Sequence, residues 1–282
     1  MGNDGQNRKN IGKLFYKDYY EGVDFSYIFG QSSNEDDKEV KSITERNREI
    51  KEVDLEEIPN PVSYIDKNRS ADSFKATIAY PGLVTGTGLL HTSKGLKGGF
   101  NLGMHFDYTT GMPVVYGSSV KGVLRAYFKS SYQKKDNNYV DDLLDEVAKT
   151  GIDIADLFED IFNGKQRDNG KNKSYHAKSV YERDVFFDAV VTKPYNKKHL
   201  LEDDAITPHT AGPLKNPVPI AMLKIAPGCE MEFRFLLHPF KAPDGKVFNE
   251  EQKLNLFRKI LARVGVGAKT NVGYGQLEIK KD

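Results

Sequence analysis

The chain is short of most features that would name a chemistry. Its 282 residues hold one cysteine, Cys229, which excludes an internal disulfide framework and any zinc site built on cysteines. Lying just ahead of the strand-like MEFRFLL, it reads as a small buried hydrophobe, and redox chemistry is not expected. No apolar run approaches the roughly 18 residues that span a bilayer, and the polar start MGNDGQNRKN lacks a signal-peptide core; a cytoplasmic protein without a membrane partner is expected. HExxH, GxSxG and paired catalytic-cysteine arrangements are all missing, which leaves the corresponding hydrolase chemistry unsupported. Excess charge is missing too. Against 40 acidic residues stand 41 lysines and arginines, so any electrostatic footprint must come from where the charges sit.

What is present is segregation and glycine. From Gly111 to Lys135 there are five bases (Lys121, Arg125, Lys129, Lys134, Lys135) and no acid; from Gln252 to Gly275 there are five more (Lys253, Arg258, Lys259, Arg263, Lys269), again without an acid. Two such stretches in a neutral chain point to an anionic partner. The alternative is a pair of solvated helix faces whose neutralising acids come from elsewhere in the fold. The second stretch ends in GVGAKTNVGYG, Gly265 to Gly275, where four glycines and a lysine lie between a helical pattern and a terminal strand. Bare turns of this kind let a main chain approach a phosphate chain closely. The loop is neither a P-loop, since Ala268 precedes Lys269 and Arg263 holds the first glycine's place, nor a GxGxxG, since Thr270 stands at the third glycine. It therefore reads as a binder of a polymer backbone, or else as a glycine-rich turn with no ligand.

Up to about Asp72 the chain is polar, without sustained periodicity, and includes NEDDKEV and NPVSY; residues 1–72 read as an arm or linker with at most short helices. From residue 73 the folded domain begins. Phe74, Ala76, Ile78 and Tyr80 alternate with Lys75, Thr77 and Ala79 as in a half-buried strand. Val120, Val123, Leu124, Tyr127 and Phe128 fall at helical spacing, with Ser118 or Ser119 as N-cap and with Lys121 and Arg125 one turn apart near a helix start suited to phosphate. Helical patterns follow around Leu143 and Val147 and around Ile154 to Ile161, closed by Gly164. KQRDNGKNKSYHAKS reads as a loop, RDVFFDAVV as a buried strand and TPHTAGPLKNPVP as an irregular excursion. PIAMLKI, MEFRFLL and QLEIK read as strands, with a helix around Leu254, Phe257, Leu261 and Val264 between the last two. The order strand, helix, strands, helix, strand fits an α+β, split βαβ plan, ferredoxin-like and shared with RRM-type RNA-binding modules, with an insertion at about 136–182.

LARVGVGAKTNVGYGQLEI resembles the C-terminal glycine-rich signature of the RAMP superfamily of CRISPR proteins. YPGLVTGTGLLH, DYTTGMPVVYGSSVKGVLRAYF, RDVFFDAVV, TPHT and NPVPIAMLKI, in that order, resemble the sixth-subunit line of the Cmr (type III-B) effector complexes. The resemblance implies a noncatalytic RNA-binding subunit at the end of a helical filament, with three kinds of partner: guide RNA (crRNA) near its 3′ portion, the target RNA paired to it, and other Cmr subunits. No cofactor and no metal are implied. The expected RNA-binding residues are Ser118, Ser119, Lys121 and Arg125 at the helix start, and Gly265, Gly267, Lys269, Thr270, Asn271, Gly273, Tyr274 and Gly275 in the loop. Contacts of this kind hold phosphates without reading bases. Tyr274 reads either as a stacking residue or as packed core.

Two other functions stay open at this stage. His91, His105 and His209 with Asp107 and Asp188 would serve acid–base cleavage of RNA, although turn capping and strand ends explain both carboxylates. A purely structural adaptor would use the glycines for packing. Salt dependence separates it from an RNA binder.

Overall fold

A computed structural model describes residues 9–23, 36–57, 72–92, 96–133, 142–168, 174–195, 199–207 and 219–279, with no side-chain description at 36–39 and 130–133. Lys134, Lys135, NPVSY and, of TPHT, residues 208–210 with His209 lie outside the described residues. In chain order the elements are α1 (Ile11–Tyr16), α2 (Asp36–Glu52), β1 (Asp72–Ile78), β2 (Val114–Val115), α3 (Gly117–Gln133), α4 (Asp142–Lys149) and α5 (Ile154–Asn163). Then come β3 (Lys165–Arg167), β4 (Tyr175–Ala177), β5 (Val185–Phe186), β6 (Ala189–Lys193), β7 (Leu201–Ile206), β8 (Ile220–Ile225), β9 (Glu230–Leu236), β10 (Phe240–Lys241), β11 (Val247–Phe248), α6 (Glu250–Val264) and β12 (Leu277–Glu278).

The main sheet runs β12-β1-β9-β6-β2, with β5 also paired to β9, and every pairing is antiparallel. Alternation sets its inner face. Phe74, Ala76 and Ile78 of β1 and Met231, Phe233 and Phe235 of β9 are buried, and the Phe74 and Phe233 rings stack at 5.1 Å across the paired strands. Two helices cover this face. Helix α3 buries Val120, Leu124 and Phe128; α6 buries Leu256, Phe257, Ile260 and Leu261, its Phe257 ring 5.4 Å from Phe235. Asn249 and Gln252 form a capping box at the start of α6, and Asp153 and left-handed Gly164 bracket α5. Cys229 is buried, which pushes its thiol up to about 11 and keeps it protonated at neutral pH.

Four readings from sequence need correction. The described part of residues 1–72 is not an arm with at most short helices: α2 runs 17 residues, and Ile11, Phe15, Tyr19, Ile43, Ile50 and Val53 are buried in the same core cluster as the sheet. The passage 165–179 is not all loop, because Lys165–Arg167 and Tyr175–Ala177 pair as a hairpin. RDVFFDAVV is split, β5 and β6 being separated at Phe187 and Asp188. Tyr80 does not continue the buried face of β1; it lies past the strand end and is 85% exposed.

The acid-free stretch from Gln252 also reads differently in three dimensions. Lys253 is fully buried, 2.8 Å from Asp160 and 2.7 Å from Asp184; Lys259 meets Glu146 at 3.2 Å, and Arg263 grips Asp142 at 2.5 and 2.9 Å. Acids from distant segments neutralise these bases, so α6 offers no row of bare cations. Lys269, at the end of the stretch, forms no ion pair among the described residues and is exposed.

Candidate nucleic-acid interface

The glycine loop leaves α6 at Gly265 and folds back on itself. Val266 N–H donates to Gly275 O (2.9 Å), Ala268 N–H to Val84 O (2.7 Å) and Gly275 N–H to Gly82 O (2.8 Å). These bonds explain most of the glycines. A Cβ on Gly265 would stand 2.6 Å from Gly275 O, and one on Gly267 2.5 Å from Val84 O; at Gly275 it would be driven into Val266 O. Gly265, Gly267 and Gly275 thus make room for the protein's own backbone, where the sequence suggested room for phosphate. Gly273 differs: the nearest atom to a Cβ there is Pro81 Cδ at 3.6 Å.

The loop's outer edge is what remains available. Gly267, Lys269 and Asn271 are exposed, Lys269 holds a left-handed backbone at φ 61°, and Val272 is 63% exposed. Among the described residues the backbone N–H groups of Gly267, Lys269, Thr270 and Asn271 donate to nothing. Unengaged donors beside a lysine with no ion-pair partner among the described residues make this edge locally electropositive. Tyr274 is neither core nor a free ring. It is half-buried, and its hydroxyl donates to Asp204 Oδ2 at 2.9 Å, an oxygen that also takes Lys224 Nζ at 2.9 Å. Burial and then the Asp204 carboxylate push the phenol up to about 12.

The start of α3 is capped from outside. Gly117 N–H donates to Asp188 Oδ1 at 2.7 Å, and Ser119 and Val120 N–H donate to Tyr116 O, so Ser118 and Ser119 sit exposed in the first turn instead of capping it. Asp188→Ala is expected to cost about 1 kcal/mol of stability, read as a lowered urea midpoint, while Asp188→Asn keeps most of it. Lys121 Nζ lies 5.3 Å from the Phe186 ring centroid, and burial, reinforced by Arg125 and Arg183 against Asp184, lowers its pKa. Arg125 is committed to α5: it donates to Asn163 Oδ1 at 3.1 Å and stands 5.7 Å from the Phe158 ring.

The helix start and the glycine loop do not form one pocket. Phe186, beside Lys121, pairs with Phe235, which faces Asp72 at one end of β1; Leu277, after the loop, pairs with Ile78 at the other. Six residues of strand put the two clusters ~20 Å apart.

The histidines are also dispersed. His91 is buried with its ring nitrogens 3.0 Å from Phe100 O and 2.7 Å from Phe15 O, which is a structural setting. His105 stacks on Tyr116 at 4.3 Å, and burial lowers its pKa against the pull of Asp188. Asp107 closes a turn. Burial opposes its ionisation, yet hydrogen bonds from Thr110 and Thr109 hold the carboxyl below its ordinary range. Among the described residues no cluster of histidine, cysteine, aspartate and glutamate suits a metal ion, and no helix is long and apolar enough to cross a membrane.

Sequence reasoning missed Asp188 as the cap of α3, Asp204 as the anchor of Tyr274, and the exposure of Tyr80. Only the last left a signal, in the Pro81-Gly82 pair that follows it.

Comparison with known proteins places these elements. A subunit described as CRISPR system CMR subunit Cmr6, from Saccharolobus solfataricus, is 26% identical over 182 residues, 64% of this chain; the chain spans 50% of that relative's length. A chain in the cryo-EM structure of the Type III-B Cmr-beta bound to cognate target RNA superposes with a TM-score of 0.53 at 20% identity, covering 99% of this chain and 93% of that one. Cmr6 from Pyrococcus furiosus, known from a crystal structure, gives a TM-score of 0.37 at 20% identity over 75% of this chain and 98% of its own. The family model of the RAMP superfamily matches residues 75–278, from the first sheet strand to the last. The chain belongs to the RAMP superfamily.

Proposed function

We propose that this RAMP protein is a noncatalytic, cytoplasmic RNA-binding subunit of a type III-B CRISPR (Cmr) effector complex. In this reading it caps the filament beside other Cmr subunits and contacts the guide RNA backbone near the guide's 3′ end, where the guide pairs with target RNA. The similarity to a Cmr6 subunit supports the assignment. A ferredoxin-like core supports it as well: β1, α3, β6, β9, α6 and β12 follow the βαββαβ order, and their strands lie side by side as β12-β1-β9-β6. The observation that carries the RNA reading is the outer edge of the glycine loop, where four N–H groups donate to no described residue and exposed Lys269 forms no ion pair among the described residues. Main-chain donors and one lysine hold phosphates of any sequence, as a subunit that accepts varied guides requires.

Lys269→Glu tests this. Anisotropy titrations of a labelled single-stranded RNA at several salt concentrations should show weaker binding and a salt slope smaller by about 0.7, the share of one phosphate contact on a single strand. Because Lys121 sits at the far end of β1, Lys121→Glu should add its loss independently. Unchanged affinity and slope in both variants count against the reading. The labelled guide should also emerge intact from incubation with the wild-type chain; reproducible cleavage overturns the noncatalytic assignment.

A further inference from the structure

Tyr80 is out of place by every rule that built the sheet. Continuing the alternation of Phe74, Ala76 and Ile78 would bury it, but the turn closed by Gly82 N–H to Ala79 O at 2.9 Å swings it outward, 85% exposed. Its hydroxyl meets no hydrogen-bond partner among the described residues. An aromatic ring left in water forgoes most of the stabilisation that burial would give it. The turn that exposes it lies against the glycine loop. Pro81 Cδ is 3.6 Å from where a Gly273 Cβ would be, Gly82 O takes the Gly275 N–H, and Tyr80 adds, after burial and Asp204, to the rise of the Tyr274 pKa. Next to Gly273 stands exposed Val272, whose N–H donates to Lys269 O at 3.1 Å, so the lysine is one tight turn away.

We propose that Tyr80 is a stacking platform for a base of single-stranded RNA whose phosphates lie on Lys269 and the amides of Gly267, Lys269, Thr270 and Asn271. This inference rests on the RNA reading of the loop given above. An exposed ring beside an apolar contact alone would suit a protein partner. Here the adjoining edge presents a cation without an acid and a row of N–H donors, which call for an anionic, acceptor-rich ligand that also carries flat apolar faces. A single-stranded nucleic acid has both, and stacking tolerates any base, as backbone contacts do. Gly273 leaves open space beside Pro81, since the nearest atom to a Cβ there is Pro81 Cδ at 3.6 Å.

The test uses the full chain and a fluorescein-labelled single-stranded RNA at fixed salt. Tyr80→Ala should weaken binding about tenfold, the effect of losing one stacked base, with the salt slope unchanged because no charge is removed. Tyr80→Phe should bind as the wild type does. Unfolding midpoints should be equal for all three, since the ring is not part of the core. If Lys269→Glu weakens binding and Tyr80→Ala does not, the stacking role falls and the RNA reading stands. A Tyr80→Ala loss accompanied by a smaller salt slope also overturns stacking. If neither variant alters binding, both fall.

Discussion

Lys253→Met is expected to lower stability by about 3–5 kcal/mol at neutral pH, a large fraction of the roughly 5–15 kcal/mol that usually separates folded from unfolded chains. The ammonium has no exposure to water and bonds Asp160 and Asp184, whose side chains are 3% and 0% exposed. Methionine fills a similar volume, so the loss comes from stranded charge and not from a cavity. Asp160 keeps Lys178 Nζ at 2.6 Å. Among the described residues Asp184 keeps only the backbone N–H of His238, at 2.8 Å. Burial already raises the Asp184 pKa above the ordinary carboxylate value, and Lys253 opposes that rise. Without Lys253 the pKa climbs further. A raised acid pKa means that the folded state holds its proton more tightly than the unfolded chain, so the associated stability is present at low pH and lost as pH rises through the folded value. The deficit of the variant should therefore be greatest near pH 7 and shrink as the solution is acidified toward the unfolded aspartate range. Adding Asp184→Asn, which keeps an acceptor for His238 and carries no charge, should recover part of the loss. Urea unfolding followed by circular dichroism at two pH values checks both statements; equal deficits at pH 7 and pH 5, with no recovery in the double variant, would refute the stranded-charge account.

Lys253 also shows where sequence reading stops. Its acid-free neighbourhood suggested a cation waiting for an anion, but the acids lie 93 and 69 residues away along the chain. Charge runs report composition along one dimension, and pairing is set by the fold. Periodicity fared better because it is local. The helices around Leu124, Leu157 and Leu261 and the strands around Phe74 and Phe233 all form where the spacing of apolar residues places them. Tyr80 fell off its strand because alternation says which face a residue takes and nothing about where the strand ends. Among the described side chains of α2 the buried ones are sparse: Ile43 and Ile50 are a full seven residues apart, and so thin a stripe is hard to distinguish from a polar linker. The sequence marks the loop around Lys269, Thr270 and Asn271, whereas it offers Ser118 and Ser119 as caps of α3 and leaves out Asp188, which reaches Gly117 from the turn between β5 and β6.

Gly275→Ala and Gly273→Ala should part company sharply, although both glycines hold positive φ, 71° and 99°, and both belong to the same signature. At Gly275 the added methyl is forced into the Val266 carbonyl, and that carbonyl belongs to a backbone whose own N–H is bonded to Gly275 O. The strand end cannot retreat without also losing the 2.8 Å bond from Gly275 N–H to Gly82 O, which ties the loop to the turn after β1. Left-handed strain of about 1–3 kcal/mol adds to an overpacking cost of similar size, so Gly275→Ala is expected to destabilise by about 3 kcal/mol or more. At Gly273 the methyl finds Pro81 Cδ at an ordinary 3.6 Å, leaving the backbone strain alone, about 1 kcal/mol or slightly more. Comparing the two unfolding midpoints therefore separates the reasons for conserving space in one loop: if Gly275→Ala proves as mild as Gly273→Ala, the bare positions do not serve to pack the loop against itself. RNA titration of the folded Gly273→Ala protein completes the comparison, because there the methyl stands on the outer edge beside Pro81, where weakened binding with a near-normal midpoint would mark space kept for the ligand.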